Sequence, residues 1–323
     1  MESEAVVGGD RHAPLTTQML PVGEGHTLYL ETVGNPNGVP VLFLHGGPGS
    51  GCQPSHRRLF DPNRFHAVLF DQRGAGRSTP HGDRSANSTD RLIADIETIR
   101  TILEIDRWLV VGGSWGATLA LAYAQSHPER VTGMVLRATF LGTRNELDWA
   151  FLAAMPHFYP RLYAEFLDLL TPPERVDPLK AYWRRILDPD PEVHRPAAFA
   201  WYQAERILSQ IAPPADGLDF SQIPALGARF PTSPFMEAHF FSNECFLEPG
   251  ELLTGASKLA HIPGRIVQSR YDLLCPPGTS YSLARAWPGA QVQIVSTAGH
   301  GQGESGVETA MSKALSELYF ATM

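Results

Sequence analysis

Apolar runs rich in β-branched residues recur through the first 140 residues: 26–34 (HTLYLETVG), 39–46 (VPVLFLHG), 65–74 (FHAVLFDQRG), 107–113 (RWLVVGG) and 131–140 (VTGMVLRATF). Those from residue 39 onward are nearly continuous apolar strings, the pattern of central strands covered on both faces. Between two of them, 88–105 (STDRLIADIETIRTILEI) sets Leu92, Ile93, Ile96, Ile99, Ile102 and Leu103 at helical spacing, with Ser88 or Thr89 placed to cap the helix. Ala117 to Gln125 reads as a second, mostly buried helix. Strands alternating with helices predict a parallel sheet with right-handed crossovers. After Phe140 the pattern changes to aromatic-rich helical pieces such as ELDWAFLAAM, PLKAYWRRIL and FAWYQAERIL, broken by prolines. Strand-like runs return at 264–272 and 290–300, followed by a helix near 305–320. The pattern predicts one α/β core in two parts, residues 1–140 and 258–323, with a helical cap of residues 141–257 inserted between them.

Composition narrows the class. With 43% hydrophobic and 19% charged residues the chain can bury a sizeable core, which excludes wholesale disorder. A net charge of −8 and the lack of a long basic run argue against nucleic-acid binding. Cys52, Cys245 and Cys275 are scattered and form no CxxC pair, so neither a zinc site nor a disulfide framework is expected. No metal or cofactor is called for. Glu2 and Glu4 stand where a signal peptide would be basic. Trp108–Pro128 carries no Asp, Glu, Lys or Arg, but its cluster of Gly112, Gly113, Ser114 and Gly116 suits a strand, a sharp turn and a helix better than a membrane span. A soluble, cytoplasmic protein is expected, with no membrane partner and an oligomeric state left open.

The strongest local signal is GGSWG, Gly112 to Gly116, between a strand and a helix. G-x-S-x-G at such a turn is a nucleophile elbow, in which glycines let strand and helix approach while a strained serine projects outward. The helix start behind Ser114 offers the free amide of Trp115 to an oxyanion. The plainer alternative is a glycine-rich turn with a solvent-facing serine. A nucleophilic serine needs a base and an orienting carboxylate, which follow in chain order at the ends of late strands. His300, in AGHGQGE, lies just past the last strand-like run, and Asp272, in RYDLLCPP, ends the one before it. HGGPGSG (45–51) follows the strand VLFL, and its bare amides suit the second oxyanion donor: Gly46 first, Gly47 as the alternative. A phosphate loop is disfavoured, since neither GxxxxGK[ST] nor a helix-opening GxGxxG is present. Asp71 and Arg73, in DQRGAGRS, read as an internal ion pair bracing the loop beside the elbow.

These pieces, HGGPGSG, DQRGAGRSTP (71–80), IADIETIR, GGSWGATLALAYAQSHPERV (112–131), RYDLLCPP and AGH, together resemble the proline iminopeptidase (prolyl aminopeptidase) family of α/β hydrolases. The resemblance implies an α/β-hydrolase fold with a mostly parallel central sheet and an inserted helical cap. It implies a triad of Ser114, Asp272 and His300, with Gly46 and Trp115 as oxyanion donors. The expected reaction is release of an N-terminal residue, usually proline, from a peptide or amino-acid amide or ester with a free amine. Cap glutamates in similar motifs carry amine binding onto Glu205 (AWYQAER) and Glu237 (FMEAHFF), and Phe140 with Phe240 or Phe241 would wall a pyrrolidine ring. Two departures from the family pattern fall near the pocket: Ala204 replaces the tryptophan usual before the first glutamate, and Gly301–Gln302–Gly303 replaces a small-apolar run. They leave open an esterase or amidase acting on a non-peptide or amino-acid-derived metabolite.

Overall fold

The computed structural model describes residues 11–227 and 230–322; Glu2 and Glu4 lie outside them. Eight strands form one sheet: β1 (Pro14–Gly23), β2 (His26–Gly34), β3 (Val39–Leu44), β4 (Phe65–Phe70), β5 (Trp108–Ser114), β6 (Val131–Thr139), β7 (Gly264–Ser269) and β8 (Ala290–Val295). Their spatial order is β1-β2-β4-β3-β5-β6-β7-β8. From β4 to β8 all neighbours are parallel, while β1–β2 and β2–β4 are antiparallel. The sheet is therefore mostly parallel, as its apolar strings predict.

The pleat divides each central strand between two packed layers. Leu109 and Val111 of β5 join Val41, Phe43 and Val135 beneath Met311 and Leu315 of the last helix, Val307–Thr322. Trp108 and Val110 face the other way, toward Ile96 of the helix Thr89–Ile102 and Leu119 of the helix Trp115–Ser126. Ser88 stands at the cap position of Thr89–Ile102 without a side-chain bond. The hydroxyl of Thr89 instead donates to the carbonyl of Cys245 at 2.5 Å, tying this helix to the chain that precedes β7.

Between Arg144 and Leu259 the described residues hold helices and loops and no strand. This stretch shares the layer of Trp108: the apolar cluster continues without a break into Phe166, Tyr182 and Trp201. There Phe166 stacks on Tyr182 with ring centroids 3.8 Å apart. Among the described residues no helix is long and apolar enough to cross a membrane, and the uncharged run from Trp108 is strand, elbow and helix in succession.

Two features depart from expectation. Strand β1 was not legible: nearly all its residues are exposed or half-exposed, with only Leu20 buried, so it carries no apolar alternation. The Asp71–Arg73 pair does not form. Arg77 turns back to bind Asp71, Nε to Oδ2 at 2.7 Å, around Gly76, where a Cβ would lie 2.4 Å from that carboxylate oxygen. Arg73 reaches Asp95 (2.7 Å) and Glu24 (2.8 Å) instead.

Candidate active site

Strand β5 ends at Ser114, and the helix begins at the next residue, Trp115. Ser114 takes φ 57° and ψ −127°, a strained conformation for a residue with a side chain. Space explains the surrounding glycines: a Cβ on Gly112 would stand 2.2 Å from the Gly116 carbonyl oxygen, and one on Gly116 would stand 2.1 Å from that of Leu44. Strand, helix and the end of β3 thus meet backbone to backbone. As the first residue of the helix, Trp115 has an amide with no intrahelical acceptor. Gly46, just beyond β3, runs beside the serine: a Cβ there would lie 3.6 Å from Ser114 Cβ. Gly47 follows with φ +108°.

Asp272 lies past the end of β7, and His300 past the end of β8. Their side chains meet, with His300 Nδ1 at 2.9 and 3.0 Å from the two Asp272 oxygens. The buried carboxylate also accepts from the amides of Leu274 (3.1 Å) and Cys275 (2.8 Å), which fix its plane. Ser114 and His300 open onto one cavity of about 310 Å³. Among the described residues no hydrogen bond joins them, the loose arrangement common before substrate binds. The Cys275 thiol is pushed well up by burial and by the Asp272 charge, so this sulfur stays protonated.

The same cavity is lined by Glu205, from the helix Pro191–Leu208, and Glu237, from the helix Ser233–Ser242. Glu237 is buried and Glu205 half-buried, and each lies within the other's electrostatic reach. Burial raises both above the usual carboxylate range, and the Glu237 charge raises Glu205 further. Trp201 Nε1 donates to Glu237 at 2.6 Å and Ser233 adds a second bond, which moderates the shift of Glu237. Two acidic side chains thus stand on the wall of the cavity onto which Ser114 and His300 open.

The structure thus brings Ser114, His300, Gly46, Gly47, Glu205 and Glu237 onto one cavity. It does not bring the three phenylalanines there. Phe140 packs edge-on to Phe241 with centroids 5.8 Å apart, and Phe240 packs against Trp115 at 4.6 Å. All three rings are buried, and none lines the cavity. Leu274 and Tyr202 contribute to the cavity wall instead.

Other contributors were missed in the sequence. Arg137, within β6, lines the cavity, presses its guanidinium against Gly113 and donates to the carbonyl of His300. Burial lowers its pKa, partly opposed by Asp272. An arginine inside an apolar strand was the available signal. The carbonyl of Ser209 accepts from Gly301 N at 3.1 Å, joining the helical stretch to the histidine loop. Gln302 from the departing segment also reaches the cavity. Among the described residues, no three His, Cys, Asp or Glu side chains gather as a metal site.

Residues 39–306 match the family model described as alpha/beta hydrolase fold, which sets the class. A proline iminopeptidase-related protein from Thermus thermophilus superposes over 95% of this chain and 98% of its own, with TM-score 0.61 and 23% identity. A proline iminopeptidase from Mycobacterium smegmatis does so over 95% and 100%, with TM-score 0.63 and 18% identity. These two share the fold. Sequence relatives are nearer: a probable proline iminopeptidase from Leptolyngbya boryana is 42% identical over 93% of this chain and 92% of its own length. A proline iminopeptidase from Arabidopsis thaliana is 44% identical over 91% and 77%. This chain belongs to the proline iminopeptidase family of α/β hydrolases.

Proposed function

We propose that this chain is a serine aminopeptidase that releases an N-terminal residue, proline above others, from peptides and amino-acid amides or esters with a free amine. One observation carries the reading: a serine, a histidine held by an aspartate, and two glutamates from separate helices come together at a single cavity. In this reading His300 removes the Ser114 proton as the oxygen attacks the carbonyl of the first residue, while Asp272 holds the imidazole. The developing oxyanion meets the amides of Trp115 and of Gly46 or Gly47. His300 then protonates the departing amine, and water releases the acyl group by the same steps. Glu205 and Glu237 bind the substrate ammonium, which makes the enzyme an exopeptidase: a blocked amine brings no charge to them. Residues 1–140 and 258–323 act as the catalytic core and 141–257 as the cap that carries amine recognition. Three unpaired, buried thiols accord with a cytoplasmic setting.

The test is active-site labelling joined to a substrate panel. A fluorophosphonate should label Ser114, and Ser114→Ala should lose both the label and at least about 10⁴-fold in kcat. Prolyl-β-naphthylamide should be turned over with the highest kcat/KM among aminoacyl-naphthylamides. Faster turnover of p-nitrophenyl esters than of any aminoacyl amide would move the assignment to an esterase.

A further inference from the structure

The direction of an amide N–H is set from the other end of its peptide unit. In a trans peptide the C=O and N–H point opposite ways in one plane, so a partner that holds the carbonyl also aims the amide. Both amides offered by the loop after β3 are held in this manner. The carbonyl of His45, which shares a peptide unit with Gly46 N–H, accepts from Gln72 Nε2 at 3.0 Å. The carbonyl of Gly46, which shares one with Gly47 N–H, accepts from His45 Nδ1 at 2.8 Å.

The two holders are themselves fixed. The backbone amide of Gln72 donates to His45 Nε2 at 3.0 Å, which puts the ring proton on Nδ1 for the Gly46 carbonyl at 2.8 Å, the shorter of the Nδ1 contacts; Gly51 N stands farther off at 3.3 Å. Burial lowers the His45 pKa and keeps the ring neutral, as an acceptor nitrogen requires. Gln72 Oε1 accepts from the indole Nε1 of Trp115 at 2.9 Å, so its NH₂ end must face His45. One amide side chain therefore bridges the residue after the serine to the glycine loop. His45, Gln72 and Trp115 are 1%, 2% and 0% exposed, and none lines the cavity.

We propose that Gln72 is a positioning residue for acyl transfer. Its side chain spans the two sources of oxyanion donors and sets their separation and aim, with His45 as its partner on the glycine loop. The proposal rests on the reading of Ser114 as an acylated nucleophile. A residue in this role acts on the tetrahedral state and leaves ground-state binding alone.

Gln72→Met preserves volume and removes both side-chain bonds; Trp115→Phe keeps the backbone amide and frees Gln72 to flip. Each would be assayed on prolyl-β-naphthylamide, with rates per active site titrated by fluorophosphonate. Inhibition by pyrrolidine-2-boronic acid, a tetrahedral mimic, and by free proline would be measured alongside. For Gln72→Met we expect kcat to fall about 10–100-fold, a fraction of the loss of a whole donor, with KM within about threefold. Boronate affinity should fall in parallel with kcat/KM while proline inhibition holds. Trp115→Phe should show the same split at smaller size, and the double variant should be little worse than Gln72→Met. A lowered Tm with kcat per titrated site unchanged in both variants would overturn the proposal and make Gln72 a packing residue. Prolyl-naphthylamide turnover persisting in Ser114→Ala would instead overturn the reading beneath it.

Discussion

The two ends of the cavity are built on opposite physical plans. At the Ser114 end the groups stand on or just past sheet strands or at the start of the helix behind them, and close backbone approach at Gly112 and Gly116 fixes the elbow. Polar atoms there are satisfied locally: Asp272 takes amides from two and three residues along its own chain. At the glutamate end a half-buried and a buried carboxyl group come from separate helices to one cavity wall, where the ionised form is penalised. The first end is stable as built. The second keeps two carboxyl groups where their ionised forms are penalised, so the two should respond in opposite ways to neutralising a carboxylate.

The largest effect should come from the first end. Asp272→Asn replaces the acceptor of His300 Nδ1 by an amide that can force the other tautomer. Turnover of prolyl-β-naphthylamide should drop by about 10⁴-fold in kcat with KM nearly unchanged. A fall confined to KM would mean that Asp272 belongs to substrate binding.

A smaller and opposite effect should follow at the second end. Because burial lifts both glutamates above their usual value near 4.5, the folded chain holds more protons than the unfolded one from that pH upward. Stability therefore falls as pH rises through this window. Glu205→Gln removes its own share of that dependence and leaves the share that burial gives Glu237. By scanning calorimetry its Tm should exceed wild type at pH 8 by about 1–2 °C, roughly 1 kcal/mol for a protein of this size, and the gain should vanish near pH 4. A lower Tm at pH 8 would show that the pair stabilises the empty protein.

The same contrast governs what could be read from the sequence. Strands β2 to β7 were legible because burial on one or both faces writes itself as apolar runs, and half-buried β8 because Val292, Ile294 and Val295 still mark it, whereas β1 contributes one buried leucine to an edge and leaves no pattern. Ser114, Asp272 and His300 were legible because chain order at strand ends constrains them without reference to distant neighbours. Glu205 and Glu237 needed the family resemblance, since two helices 191–208 and 233–242 meet only through tertiary packing. Phe140, Phe240 and Phe241 show the limit of composition: aromatic rings beside a site need not face it, and these pack on Trp115 and on each other. The pairing of Asp71 with Arg77 depended on a left-handed turn at Gly76 that residue types alone do not orient. Gln72 and Trp201 act over 27 and 36 positions in sequence, through single hydrogen bonds that leave no local periodicity.

The central claim is that a free ammonium, bound by the glutamate pair, places the first peptide bond on Ser114. It is tested most directly by kcat/KM for prolyl-β-naphthylamide and its N-acetyl derivative, on wild type and Glu205→Gln. Wild type should prefer the free amine by about 10²–10³-fold, as expected when one member of a buried charge pair is lost, and Glu205→Gln should erase most of that preference through KM. Equal rates on free and acetylated substrate by the wild type would contradict the account.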